Sequence, residues 1–436
     1  MNPRLTGLLT MGVVLLGVAA GMLLGRSPGA VDWYQARAVC IESDDWGLCG
    51  FLPDSAAAGA MDRAVLEPGF FPDVYWRSTL EDSAAVASLA VILAEHCGRD
   101  GLPAVLQPNY IMASQEFVPG DGETPDRWVD HDLPEVPARY HRSGLWQAVG
   151  DAMAAGVWHP EYHGRWHFDP ERRRERTAAE GVREAAAQQI LVFPGSERSW
   201  ELAPWRSRDE VAADFDAGLA AFTNLFGYRP YSVIAPDYVW DDWHEELWAS
   251  RGVRVIQGQR EQRKPGWHGW SGRAMKVGHR ALARWLHQDR VYLERNCIFE
   301  PVQEDQPRVI TDAAVRAVRR AWRRAEPAVL EAHRINFSHL DAAVPALGRA
   351  ELDLLLDELV ADGPLFLIDL EMAALQRRGT SWARRGDRLV VRNLTRSRRL
   401  VVVPPGQWPG GGPEAVVLAL APGESRVVGP GAPSGR

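Results

Sequence analysis

Lysine is almost missing from this chain: only Lys264 and Lys276 occur, and arginine supplies the rest of the 49 basic residues. Against 57 acidic residues the formal charge is −8, which argues against the basic face of a nucleic-acid-binding protein. The arginine skew reads as a codon bias and is given no functional weight. Cysteine is scarce as well, four in 436 residues, too few for a disulfide-built scaffold. Cys40, Cys49, Cys97 and Cys297 follow no zinc spacing, and Cys40 and Cys297 stand in apolar runs where buried free thiols are expected. Glycine and proline together make 70 of 436 residues, below the roughly 25–30% of low-complexity chains. What remains is an ordinary globular composition, long enough for one domain of ~250–350 residues and a smaller one.

One long apolar run stands out. Residues 5–25 carry no charge, between Arg4 and Arg26. About 20 apolar residues span a bilayer. Residues 1–30 are therefore read as a signal-anchor, with a cleaved signal peptide as the alternative. Either reading exports the body, which would be anchored on the extracytoplasmic side, or secreted if the segment is cleaved.

Beyond it, short β-rich runs alternate with helical patterns. The runs are 38–43, 103–107, 156–159, 231–235, 253–257, 291–299, 328–332 and 365–370, and the helical stretches are 84–96, 145–155, 208–225, 240–251, 313–325 and 349–361. Strands alternating with helices of this length imply βα units and parallel pairing. Eight such runs predict an α/β fold, a (β/α) barrel, complete or distorted, over residues 31–376. Residues 258–289 are basic and Trp-rich and read as an excursion on the active-site face. From about residue 377 the texture changes to alternating short runs with Pro/Gly turns, which predicts a small antiparallel, β-sandwich-like module over 377–430 and a disordered tail at 431–436.

In such barrels the chemistry sits at the C-terminal strand ends, and there the polar residues gather. The first run ends in Asp44-Asp45, and the third leads into His159, His163 and His167. The fourth ends at Asp237, the sixth contains Arg295 and Asn296 and precedes Glu300, and the seventh ends in His333, Arg334 and Asn336. Two histidines four apart can face one ion, and a carboxylate from a neighbouring strand can complete the set. His159/His163 and His163/His167 both have that spacing. Adjacent carboxylates on a strand point to opposite sides, so one can bind a metal while the other acts as a base. Taken singly, an Asp-Asp pair reads as a helix cap and a lone His as a core residue. Their joint order along the strands favours a metal site. Trp158, Trp166, Trp240 and Trp243 are open between sugar stacking and core packing.

The runs E-S-D-D-W-G, H-G-R-W-H, R-N-C-x-F-E-P and H-R-x-N-F resemble the polysaccharide deacetylase (NodB-type, carbohydrate esterase) superfamily, across residues 39–372. The resemblance implies Asp44 as catalytic base and His333 as catalytic acid, with Asp45, His163 and His167 as ligands of a divalent metal, Zn²⁺ first. Gly164 favours His163/His167 over the earlier pair. His159, Asp237, Arg295, Asn296, Glu300, Arg334 and Asn336 become candidate substrate contacts. The implied reaction is removal of an acyl group, N-acetyl first, from an envelope or extracellular carbohydrate. Two departures stand out. Trp46 is inserted before the glycine of the Asp-Asp motif, and the family's base-orienting arginine after the fourth strand is replaced by Ala-Pro-Asp-Tyr, residues 235–238. Arg295, from another strand, is a candidate replacement. Two further readings stay open. One is a metal-independent glycoside hydrolase, pairing Asp44 or Asp45 with Asp237 or Glu300 about 5–10 Å apart. The other is a non-catalytic carbohydrate-binding or envelope-assembly protein.

Overall fold

The computed structural model describes residues 31–60, 73–121, 123–177, 182–192, 200–259, 287, 289–303, 305–408 and 413–429. The apolar run 5–25, nearly all of the basic excursion and the C-terminal tail lie outside the described residues. Among the described residues no helix is long and apolar enough to cross a membrane.

The central sheet is parallel throughout. Its strands are β1 (Ala38–Trp46), β2 (Leu106–Ile111), β5 (Glu161–Gly164), β6 (Ser232–Val233), β7 (Val255–Gly258), β8 (Val291–Glu294), β9 (Cys297–Ile298), β10 (Ala328–His333) and β11 (Leu365–Phe366). The order is β8-β7-β6-β5-β2-β1-β10-β9, with β11 beside the start of β1. The two edge strands, β8 and β9, are consecutive in the chain and separated by Arg295 and Asn296 alone. Two residues cannot span an open sheet, so the sheet must curl until its edges meet. Among the described residues no ladder joins those edges, and the result is a distorted barrel.

Helices cover it: α1 (Ser83–Glu95), α2 (Leu145–Ala154), α3 (Arg208–Phe226), α4 (Asp242–Ser250), α5 (Pro307–Arg323), α6 (Ala343–Val360) and α7 (Asp369–Arg378). Their starts are chemically marked. Asp82 accepts from Ala85 N at α1, and Ser207 and Glu210 form a reciprocal capping box at α3. Pro307 opens α5, where its missing N–H costs nothing. The buried positions of α5, at 311, 314, 315, 318, 321 and 322, trace one helical stripe into the core.

Several expected boundaries move. The run 156–159 is not a strand: Trp158 makes one isolated bridge to Leu106, and the ladder starts only at Glu161, beyond Pro160, which has no amide hydrogen to give. The run 291–299 breaks in two where Arg295 turns inward. The run 365–370 yields two strand residues, and α7 takes over at Asp369. Helix α6 starts at residue 343 rather than 349. It runs through Gly348, where a Cβ would sit 1.7 Å from the Asn336 carbonyl, so glycine is required by close packing and does not end the helix. A hairpin of β3 (Ala113–Val118) and β4 (Arg127–Asp132) was not anticipated.

The C-terminal part pairs β12 (Thr380–Arg385), β13 (Arg388–Asn393) and β16 (Ser425–Val428) in one antiparallel sheet, and β14 (Arg399–Val403) with β15 (Val416–Leu420) in another. Leu389, Val391, Val401, Val403, Val416, Leu418 and Leu420 pack between them. Arg385, buried, donates to the carbonyls of Gly156, Phe366 and Pro103 at 3.0–3.1 Å. Arg392 pairs with Glu371 at 2.8 Å and with Asp100. These contacts fix the module to the N-terminal end of the barrel, away from the carboxyl ends of the strands. All four cysteines are free.

Candidate metal centre

At the end of β1 the ladder to β2 shifts register between Ser43 and Trp46. Asp45 lies inside that irregularity with φ +70, a left-handed backbone costly for a non-glycine residue. A bulge of this kind re-aims a side chain. Asp45 is turned toward the loop after β5, while Asp44 stays inward at 2% exposure.

Asp45 Oδ1 lies 3.4 Å from His163 Nε2 and 3.2 Å from His167 Nε2. The three donor atoms fall within 4.8 Å of one another, and the two imidazole rings are nearly perpendicular with centroids 5.1 Å apart. His163 donates from Nδ1 to the Ile234 carbonyl at 3.1 Å. That bond places a proton on Nδ1 and turns Nε2 toward Asp45. His167 is also held at positive φ, +66.

The loop owes its shape to Glu201. Its carboxylate accepts from the backbone N–H groups of Arg165, Trp166 and His167 at 2.9, 3.0 and 3.0 Å. Gly164, at φ +138, makes room: a Cβ there would stand 2.4 Å from Glu201 Oε2.

Behind the triad, Asp44 is clamped. Arg295 Nη1 donates to its Oδ2 at 2.6 Å and Nη2 to its Oδ1 at 2.7 Å, a bidentate fork. Asn109 adds a third donor at 2.8 Å. Burial alone would raise the Asp44 pKa, but the charges of Arg295 and His163 outweigh it and hold the carboxyl well below its ordinary range. Asp45 is likewise pulled down against burial, by its hydrogen bonds to His163 and His167.

On the neighbouring strand His333 is in register with Asp44. Its Nδ1 meets Glu300 Oε1 at 2.5 Å, and Glu300 Oε2 accepts from Asn336 at 2.8 Å. Burial would lower the His333 pKa, but the Glu300 charge and hydrogen bond raise it well above the ordinary value. That shift favours the charged ring, and 23% of its side chain is still open to solvent.

The remaining expected contacts separate. Arg295 is wholly buried on Asp44 and Glu42, so it faces the candidate base and not a substrate. Asn296 is turned to the start of β10, bonding Pro327 O and Val329 N at 2.9 Å. Arg334 is buried on the Leu48 carbonyl and Glu81. Glu300 and Asn336 hold His333 and each other. His159 precedes β5 at the opposite end of the strand, stacked on Tyr228 with 5.3 Å between centroids, so the pair brought together is His163/His167. Asp237 sits half-buried at the rim beyond β6 with φ +53. Trp158, Trp166 and Trp240 are core residues at 0–3% exposure, and Trp243 packs against the core.

Glu42, Asn109, Glu201, Gln257 and Asp369 went unnoticed in the sequence. The available signal was a polar side chain at every second position of an apolar run. In β1, Glu42 and Asp44 share the inward face. In β2 and β7, Asn109 and Gln257 do the same, joined to each other at 2.9 and 3.0 Å.

No family model matches the chain, and no curated protein matches it. Solved structures of carbohydrate deacetylases are similar to it. A putative polysaccharide deacetylase from Mycobacterium smegmatis is 14% identical, with a TM-score of 0.35, covering 78% of this chain and 90% of that one. A probable polysaccharide deacetylase from Pseudomonas aeruginosa PAO1 is 10% identical, with a TM-score of 0.41 and coverages of 78% and 91%. Agd3, described as a novel carbohydrate deacetylase, is 12% identical, with a TM-score of 0.35 and coverages of 89% and 64%. At these identities and scores, fold and chemistry rest on the geometry of this chain.

Proposed function

We propose that the chain is a metal-dependent hydrolase that removes acyl groups, N-acetyl first, from an envelope or extracellular carbohydrate. The observation that carries this reading is the meeting of Asp45, His163 and His167 between a clamped carboxylate, Asp44, and a charged imidazole, His333. Two imidazoles and one carboxylate suit Zn²⁺ or another divalent ion. The residues fit such an ion: His163 has Nδ1 tied to a carbonyl and Nε2 left for a metal that displaces its proton, Asp45 is held ionised, and the two strained backbones at Asp45 and His167 serve that convergence. Bound there, the metal would supply a Lewis acid for an acyl carbonyl and acidify a water.

The chain's own residues do the rest. Asp44 is held ionised and oriented by Arg295 and Asn109. A carboxylate with so low a pKa is a weak base; its part is to orient the attacking water and accept its proton as the bond to the acyl carbon forms. His333, kept protonated by Glu300, donates to the departing nitrogen. Asn336 and Glu300 fix the angle from which it does so. Asp237 at the rim is the remaining substrate-contact candidate.

A two-carboxylate glycosidase is less well supported. Asp44 is tied by Arg295 and Asn109, and Glu300 by His333, Asn336 and Gln303 at 2.7 Å, so neither is poised as a free acid. The apolar run 5–25 is proposed to anchor the chain with its body on the extracytoplasmic side. The test is release of acetate from an acetylated chito-oligosaccharide by the metal-loaded chain, with its loss on chelation and recovery on adding Zn²⁺ back. Glycan cleavage that survives chelation would overturn the proposal in favour of the glycosidase.

A further inference from the structure

The interior behind Asp44 holds three carboxylates against one guanidinium. Glu42, Asp44 and Asp369 are at 0–2% exposure, and Arg295 is the cation bonded among them. The arginine is saturated. Its Nε donates to Glu42 Oε2, its Nη1 to Asp44 and to the Tyr238 hydroxyl at 3.0 Å, and its Nη2 to Asp44 and to Gln257 Oε1 at 2.9 Å. All five of its N–H groups are therefore used.

Asp369, opening α7, accepts from Gln257 Nε2 at 2.7 Å and from the Cys40 thiol at 3.4 Å. The other oxygen of Glu42, Oε1, is buried and has no donor. A carboxylate oxygen of Glu42 lies in one group with Cys40 Sγ and an Asp369 oxygen, all within 4.8 Å. Two ionised carboxylates facing each other in a dry interior, with no cation between them, would be strongly destabilising.

We propose that Glu42 and Asp369 hold one proton between them, with Glu42 the neutral acid donating from Oε1 to Asp369, and that this pair positions Arg295 and through it Asp44. This rests on the reading of Asp44 as the base. The groups around this cluster agree. Cys40 offers a thiol whose ionisation burial suppresses, Gln257, Asn109 and Ser232 are neutral, and Glu331 is tied up at 2.6 Å by Tyr238. Burial and Asp369 push the Glu42 carboxyl well above its usual range. The chain Asp369–Glu42–Arg295–Asp44 then alternates acceptor and donor without a missing partner. Neutral Glu42 leaves the fork of Arg295 free to hold Asp44 as the ionised partner.

Glu42→Gln separates this from its rivals, because an amide offers the same donor toward Asp369 and the same acceptor toward Arg295 as a neutral acid. The infrared spectrum of the full chain at neutral pH is expected to show a carboxylic-acid C=O band that Glu42→Gln removes. The same variant should keep the thermal midpoint and hold kcat on the acetylated chito-oligosaccharide within about threefold, as an intact hydrogen-bond set implies. Glu42→Ala should lower kcat by more than about tenfold at unchanged KM, as expected when only transition-state geometry is lost. Restoration in Glu42→Gln is the readout a purely structural role would not give. An unchanged band in Glu42→Gln, or a Gln variant as impaired as Ala, overturns the proposal. So does loss of an equivalent of metal in Glu42→Gln, which would make the Cys40 group a cation site. If the unaltered chain releases no acetate, the proposed function fails, while the infrared difference still decides where the proton sits.

Discussion

Asp45 and His167 share an uncommon property: both are non-glycine residues in left-handed backbone, and both are candidate ligands. Each such residue stores about 1–3 kcal/mol that its surroundings must offset. At His167 the offset is visible, since Glu201 collects three consecutive N–H groups of the loop. Gly164→Ala would place a methyl against that carboxylate at φ +138. The expected loss is about 1–3 kcal/mol in urea denaturation, accompanied by weaker metal binding in a competitive chelator titration. Asp44→Asn tests a different role. The amide keeps the shape but cannot accept a proton, so kcat is expected to fall by at least about 10²-fold while metal content stays unchanged. Near-normal turnover in Asp44→Asn would remove it as the base.

At the scale of elements, α4 carries a titration independent of the site. His244 caps the helix by accepting from Asp241 N at 3.0 Å. It is 2% exposed, and burial lowers its pKa from 6.5 to about 3. The unfolded chain takes up a proton below pH 6.5 that the folded chain refuses until about pH 3. Stability from this group is therefore full above 6.5 and declines as pH falls through that window. His244→Gln should narrow the gap between urea midpoints at pH 7 and pH 4.5, and an unchanged gap would show that His244 is not buried neutral.

The elements were legible in the sequence to the extent that their signals were local. Apolar runs marked β1, β7 and β10, and the helical patterns from 84 and 208 begin within a residue of α1 and α3. What failed was tertiary. The strand from 156–159 moved to residue 161 because its neighbour's register and Pro160 decide where a ladder can form. Helix α6 begins at 343 and not at 349, with Gly348 a packing contact inside it. For the candidate ligands, spacing left His159/His163 and His163/His167 open, and the family resemblance chose the pair that the structure brings beside Asp45. Arg295 was legible as the arginine that could orient Asp44 from another strand, and it does pair with Asp44. The rest of the support, Glu42, Asn109 and Gln257, was not legible, because it gathers around Arg295 and Asp44 only when the sheet curls and brings the β8–β9 junction across the barrel.

For the whole molecule, the C-terminal sheets attach at the end of the barrel opposite the site. That attachment depends on Arg385 and Arg392, both buried. Burial lowers the Arg385 pKa to about 10, so it remains charged. Arg385→Ala would strip three buried carbonyls of their donor, at a cost of about 2–4 kcal/mol. The expected readout is faster proteolysis between residues 379 and 388 with the metal site intact.

The account centres on one ion held by Asp45, His163 and His167. Elemental analysis of the full chain beside a His163→Ala/His167→Ala variant tests it most directly. The account predicts about one equivalent of a divalent metal in the unaltered chain after reconstitution, and its loss from a variant that still folds. No metal in the unaltered chain, or equal metal in both, would contradict it.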